Sequence, residues 1–309
     1  MDQTLYYLFI CARPRQWLKN ISLFTGIIFS GWLFIGEKFL AVCWAFLIFS
    51  LLASAVYILN DIIDAPQDRL HPIKKHRPIA SNKLPIPVAI FAFISLILIV
   101  LFLSFSISFF FFFLVLVYLI LQIAYTFWLK RINILDVMTI ASGFILRVYV
   151  GAVAINSHIN SWLLLCIISF ALFLAIGKRR SEKTILESHL ESKPREVLSH
   201  YPDNLLNIYT AMFATTTWLS YALFTFQQTI YIERGQVLTF MSFLPKTFIN
   251  QKLLMFTIPL VIYGVMRYLQ LIYDRNQGES PEKVLLADKP LLSTVFLWGL
   301  FTIAILYFI

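Results

Sequence analysis

The 309-residue chain is 60% apolar and 17% aromatic, and its 13% of charged residues compares with roughly 25% in soluble domains, which excludes a water-soluble globule. Thirty Phe and fourteen Tyr beside ten Gly exclude a collagenous, disordered or low-complexity chain as well. A net charge of +9 would suggest nucleic acid as the partner of a soluble protein; in an integral membrane protein it reads as cations collected in cytoplasmic loops, and no nucleic-acid partner is expected.

A bilayer-spanning helix takes about 20 mostly apolar residues. Walked along the chain, that length predicts nine, at residues 17–36, 39–59, 86–104, 107–128, 134–155, 160–177, 206–230, 250–272 and 290–309. The alternating ten-residue segments of a membrane barrel are absent. The expected fold is therefore all-α, a polytopic helical bundle forming a single membrane-embedded domain over residues 1–309. Before the first helix stand Asp2, Gln3, a short apolar stretch and then Arg13 and Arg15, with no small-residue cleavage pattern, so no removable signal peptide is expected. Cys11, Cys43 and Cys166 lie far apart and suggest neither a disulfide nor a metal cluster.

Charge placement orients the bundle. With the N-terminus cytoplasmic, 20 of the 25 Lys and Arg fall in inside segments, Lys38, Arg234, Lys246 and Lys252 fall outside, and Arg147 lies within the fifth helix. The asymmetry predicts an inside N-terminus and an outside C-terminus. The longest cytoplasmic connections, about residues 60–85, 178–205 and 273–289, follow the second, sixth and eighth helices. Long loops tend to carry function, so the chemistry is expected on the cytoplasmic face.

At the head of the first helix Arg13, Arg15 and Lys19 meet the cytoplasm. Positive-inside charge accounts for two of the three, and Lys19, furthest into the helix, is the candidate for substrate. After the second helix comes Asn60-Asp61-Ile62-Ile63-Asp64-Ala65-Pro66-Gln67-Asp68-Arg69. At helical periodicity Asp61, Asp64 and Asp68 fall within about 60° on one face. Converging carboxylates beside hydrocarbon demand a cation, and a divalent metal shared with a diphosphate fits them best. Solvated acids paired with Arg69, Lys74 and Lys75 are the alternative. Pro66 predicts a kink or an end near Asp64, leaving Asp61 and Asp64 as the firmer ligands.

The next loop, Arg69-Leu70-His71-Pro72-Ile73-Lys74-Lys75-His76-Arg77-Pro78-Ile79-Ala80, is stiffened by two prolines and suits phosphate, with topogenic charge beside anionic lipid as the alternative. His71 and His76 lack the companions of a zinc site. On the fourth helix, Tyr125 and the following Lys130 face either a ribose or phosphate, or the lipid interface. On the fifth, Asp136, Gly143 and Arg147 share one face within about 40°. An arginine so deep needs a polar interior, so that face is expected to line a cavity; Arg147 either contacts a lipid phosphate there or pairs with a carboxylate. The loop after the sixth helix opens Lys178-Arg179-Arg180-Ser181-Glu182-Lys183, either phosphate-binding or stop-transfer charge.

The Asn60-Asp61-x-x-Asp64-x-x-x-Asp68 motif at the end of a second membrane helix resembles the first Asp-rich motif of the UbiA-type intramembrane prenyltransferases. Three further stretches, Arg13-Pro14-Arg15-Gln16-Trp17-Leu18-Lys19-Asn20, the His71-to-Ala80 loop and Gly177-Lys178-Arg179, look like the decaprenyl-phosphate phosphoribosyltransferase branch of that superfamily. The likeness runs from about residue 12 to the end, through Gly278-Glu279-Ser280-Pro281-Glu282, and is most specific in the first 180 residues. It implies nine helices around a central cavity with a polar cytoplasmic cap, in the inner membrane of a bacterium. It also implies a Mg²⁺-dependent enzyme that moves 5-phosphoribose from phosphoribosyl diphosphate to a polyprenyl phosphate, releasing diphosphate and feeding lipid-linked arabinose donors for cell-envelope glycan.

On this reading Asp61, Asp64 and Asp68 are the catalytic and metal-binding residues. Lys19, Asn60, Arg69, Lys74, Arg77, Tyr125, Lys130, Arg147, Lys178 and Arg179 are the substrate-binding candidates. Ordinary family members carry a second acidic motif after the sixth helix; here base stands in its place, which suits one metal-bound diphosphate plus further metal-free phosphates. Two other readings remain: a prenyltransferase acting on an aromatic acceptor, and a lipid or solute transporter. Membrane lipids are expected partners, and a homo-oligomer is left open.

Overall fold

A computed structural model describes residues 3–70, 74–188, 201–228, 252–275 and 281–308, and no strand occurs among them. In chain order the helices are α1 (Gln3–Ala12), α2 (Thr25–Phe29), α3 (Gly36–Asp68), α4 (Ile86–Ile107), α5 (Phe109–Phe127), α6 (Leu135–Ala154), α7 (Ser161–Ser188), α8 (Asp203–Gln227), α9 (Ile258–Arg275), α10 (Pro281–Ala287) and α11 (Lys289–Tyr307). Seven stretches of the described chain are long and apolar enough to cross a membrane: α3, α4, α5, α6, most of α7, α9 with the 3-10 turn before it, and α11.

The other two expected spans show why the count differs. Residues 17–36 do not form one helix: a 3-10 run, Pro14–Phe24, leads into the short α2, which stops near Gly31 at φ 76°. Arg13 enters that run in the left-handed region at φ 49°, directly before Pro14. A residue in that conformation breaks continuity with α1. The seventh expected span is α8, long enough at 25 residues but rich in Asn and Thr. Its polarity is hidden locally, because the hydroxyls of Thr210, Thr216, Thr217 and Ser220 donate to carbonyls one turn back.

Two helices outrun their expected ends. α3 continues through Pro66 to Asp68 rather than kinking near Asp64. Pro66 forfeits a single backbone bond there, and Arg77, by holding both Asp61 and Asp68, staples the turns on either side of it. α7 continues past residue 177 to Ser188, where charged pairs between Lys178 or Arg179 and Glu182 support the polar extension.

The chain packs as two compact units. The first holds residues 1–130 and 146–158, including α1 to α5 and the last turns of α6. Its core joins Ile48, Phe49 and Leu52 of α3 with Phe111, Val115 and Tyr118 of α5 and Leu23 of the 3-10 run. Gly151 is required at the crossing of α6 and that run, since a Cβ would collide with the Leu23 backbone. A smaller cluster of Cys11, Ile58, Ala65, Ile79, Leu84 and Ala89 ties α1, the end of α3 and the start of α4 beneath the acidic motif. The second unit holds residues 131–145 and 159–309. Phe173, Tyr268 and Ile272 join α7 to α9, and Val137, Ile176, Tyr201 and Leu206 join α6, α7 and α8.

Candidate active site

The last turns of α3 carry the acidic motif, and each of its carboxylates is engaged by a cation of the first unit. Asp61, 3% exposed, accepts from Arg13 Nη2 at 2.5 Å and from Arg77 Nη1 at 3.2 Å. The same Arg77 nitrogen reaches Asp68 Oδ2 at 2.6 Å. Lys130, in the turn after α5, lies 3.1 Å from Asp64 Oδ1. Asn60 fixes the motif from the other side, its side-chain oxygen accepting from the Thr126 hydroxyl at 2.5 Å. Three acids and three cations are thus interleaved at one helix end.

The loop after α3 is shaped by Arg69, which donates to the Ala80 carbonyl at 3.2 Å and the Asn82 side chain at 3.0 Å. It therefore braces the loop that presents Arg77. Lys74 lies in the 3-10 turn of that loop, Lys19 in the 3-10 run after Arg13 and Tyr125 on α5; each is half-buried and engaged within the protein. His71 and Pro72 lie outside the described residues, as does Gly278-Glu279-Ser280.

Arg147, 8% exposed, donates to Asn20 Oδ1 at 2.8 Å and to the Tyr118 hydroxyl at 2.6 Å. Asn20 also donates to Ser50. Arg147 thereby links α6, the 3-10 run, α5 and α3 inside the first unit. In the second unit Lys178 is 36% exposed and 3.7 Å from Glu182. Arg179, 3% exposed, bonds Asp136 at 2.6 Å and Glu182 at 2.5 Å.

Arg13, which positive-inside charge alone would explain, has a guanidinium that crosses 48 residues of chain to Asp61 and lies 5.0 Å from the centre of the Tyr57 ring. The Arg13-Pro14 pair gives no signal of this in the sequence, because a residue before proline is expected to be extended and Arg13 is instead left-handed, at φ 49°. A non-glycine residue held left-handed before proline carries strain of about 1–3 kcal/mol, and such strain concentrates at working sites. Nothing in the local sequence of Asn20 or Tyr201 distinguishes them from packing residues.

Among the described residues, no three His, Cys, Asp or Glu side chains converge as a complete metal cage. The donor set instead offers one or two hard carboxylate oxygens at a time, with cations close by. That is the composition Mg²⁺ takes when substrate phosphates complete its shell, so the residues fit that ion.

The profile of the UbiA prenyltransferase family matches residues 21–300. The chain belongs to that family. Like other UbiA proteins it is a multi-pass membrane protein. It is 32% identical over 93% of its length, and 82% of the relative's, to the decaprenyl-phosphate phosphoribosyltransferase of Corynebacterium glutamicum. To the protein of the same name from Mycolicibacterium smegmatis it is 30% identical, over 96% of this chain and 91% of the relative. Among solved structures, a UbiA homologue from Archaeoglobus fulgidus bound to GPP and Mg²⁺ superposes with a TM-score of 0.66 over 97% of this chain and 99% of that one. At 17% identity that likeness is one of fold.

Proposed function

We propose that this UbiA-family protein is a polyprenyl-phosphate phosphoribosyltransferase, moving 5-phosphoribose from phosphoribosyl diphosphate to a decaprenyl-type phosphate for lipid-linked arabinose and cell-wall precursor synthesis. The observation that carries the reading is the interleaving of Asp61, Asp64 and Asp68 with Arg13, Arg77 and Lys130. Three acids interleaved with three cations suit a substrate that brings metal to the acids and phosphate oxygens to the cations. The names of the relatives at about 30% identity over nearly the whole chain support the same choice.

In this proposal Asp61 and Asp64, with Asp68 assisting, would hold Mg²⁺, which when bound neutralises charge on the leaving diphosphate. Arg13, Arg77 and Lys130 then turn to phosphate oxygens, with Lys19 and Lys74 beside them, while Asn60 and Arg69 hold the motif and its loop in place. Tyr125 and Arg147 are assigned to the ribose and lipid side. Lys178 is assigned to the acceptor phosphate, and Arg179 acts through its pair with Asp136. The acceptor is already an anion and needs no general base. Catalysis is positioning and electrostatic stabilisation of an oxocarbenium-like state, and a single displacement inverts C1. The protein sits in the bacterial inner membrane with this chemistry on the cytoplasmic side.

The test is transfer of labelled phosphoribose to an organic-extractable lipid by the purified protein, with Mg²⁺ or with EDTA. Metal-dependent label with inverted C1, lost in Asp61→Ala, is expected. Retained configuration, or a prenylated phenolic product without labelled lipid, would overturn the proposal.

A further inference from the structure

Asp136 opens α6 as a carboxylate 1% exposed to solvent, and a buried carboxylate persists only when its oxygens are occupied. Arg179 Nε takes Oδ2 at 2.6 Å, and the Tyr201 hydroxyl donates to Oδ1 at 2.9 Å. The same hydroxyl accepts the Ile134 N–H at 2.7 Å. A phenol has one hydrogen, so giving it to Asp136 turns its lone pairs towards Ile134 and the two bonds fix each other.

Ile134 has φ 68°, the left-handed region that a β-branched residue rarely enters. Such a backbone is held only by its surroundings, and here the bond from its N–H to Tyr201 does the holding. Tyr201 is itself 2% exposed, and burial pushes its hydroxyl up to about 12, so it remains a donor through the physiological range. Lys183 secures the other side of the same residue, bonding the Tyr201 carbonyl at 2.9 Å and Asp203 at 2.8 Å.

Beyond Asp136 the chain of bonds continues through Arg179 to Glu182, and Glu182 faces Lys178. The two basic residues are not equivalent: Arg179 is 3% exposed and Lys178 36%. The buried one is built into the network and the exposed one is presented by it.

We propose that Tyr201 is a positioning residue for the basic motif, joining Ile134 and Asp136 and, through that carboxylate, Arg179, so that the turn of α7 bearing Lys178 is held for the acceptor phosphate. The identity of that phosphate rests on the phosphoribosyltransferase reading; the linkage itself does not. Removing the hydroxyl strips Asp136 Oδ1 and the Ile134 N–H of a buried partner together. The carboxylate then swings, Arg179 follows it, and the Lys178 ammonium that shares Glu182 with Arg179 is displaced.

The experiment measures equilibrium binding of polyprenyl phosphate and of phosphoribosyl diphosphate to the detergent-solubilised full chain, alongside turnover. Tyr201→Phe is expected to weaken lipid-phosphate binding about tenfold, the scale of a buried polar group left without its partner, and to leave phosphoribosyl diphosphate binding within about twofold. Adding Tyr201→Phe to Lys178→Ala is expected to weaken lipid binding no further, because both act on one contact. Equal weakening for both ligands, or additive effects in the double variant, would overturn the proposal. If Tyr201→Phe does not fold, Asp136→Asn keeps an oxygen for the hydroxyl and drops the charge facing Arg179, and the same pattern and the same reversal apply. Wild-type protein that binds the lipid phosphate yet transfers no phosphoribose defeats the function reading alone, and the binding ratios still decide the role of Tyr201.

Discussion

Lys130 closes on Asp64 at 3.1 Å, carrying a cation from the turn after α5 to the acidic end of α3, 66 residues earlier in the chain. Both side chains keep some exposure, 22% for the lysine and 28% for the aspartate. The pair is therefore accessible to substrate and contributes little to folding, about 1 kcal/mol or less. Lys130→Ala is expected to raise the KM for phosphoribosyl diphosphate about tenfold while shifting the melting temperature by no more than about 2 °C. A large loss of stability with an unchanged KM would show that the pair is structural.

Arg77 joins Asp61 to Asp68 through a single nitrogen, beside a carboxylate that is 3% exposed. Arg77→Ala leaves two acids close together with Arg13 alone on Asp61. Breaking a buried pair this way costs about 3–5 kcal/mol, an upper figure here because Arg13 remains. A bound divalent cation would supply the missing positive charge. The melting temperature of Arg77→Ala is accordingly expected to fall in EDTA and to recover in Mg²⁺ by more than wild type does. An identical Mg²⁺ response in both proteins would argue against a metal at these aspartates.

Arg147 and Asn20 form one buried unit with Tyr118. Arg147→Ala and Asn20→Ala are each expected to destabilise the protein by about 1–3 kcal/mol. Combined, they should fall short of additive by at least about 0.5 kcal/mol, because each removes the other's partner. Thermal unfolding of the two single variants and the double variant in detergent measures this, and strict additivity would separate the roles.

Gly151 lets α6 touch the Leu23 backbone of the 3-10 run. The nearest neighbour of an added Cβ is main chain, which cannot swing aside as a side chain would. Gly151→Ala is expected to cost about 1–3 kcal/mol through forced displacement of that run. Because the run follows Arg13, the variant should also lower the rate of transfer. Gly264→Ala, where an added Cβ meets open space, is the control, with a shift of about 0.5 kcal/mol or less.

Apolar length alone determined that the chain is a helical membrane protein, because the bilayer sets the length of a span and excludes other backbone forms. Helical periodicity put Asp61, Asp64 and Asp68 on one face, and the motif around them pointed to the UbiA family. Local chemistry could not determine continuity. The first expected span breaks into a 3-10 run and the short α2, set off from α1 by the left-handed Arg13 before Pro14, while α3 passes through Pro66 with Arg77 clamping the turns around it. Nor could spacing reveal partners. That Arg13 belongs to Asp61, Lys130 to Asp64, Arg179 and Tyr201 to Asp136, and Arg147 to Asn20 and Tyr118 are pairings made 29 to 127 residues apart. Sequence fixes which residues carry charge and on which face of a helix they stand; which opposite charge each one meets is decided only when the helices pack, since a buried ion takes whatever partner the tertiary structure brings within reach.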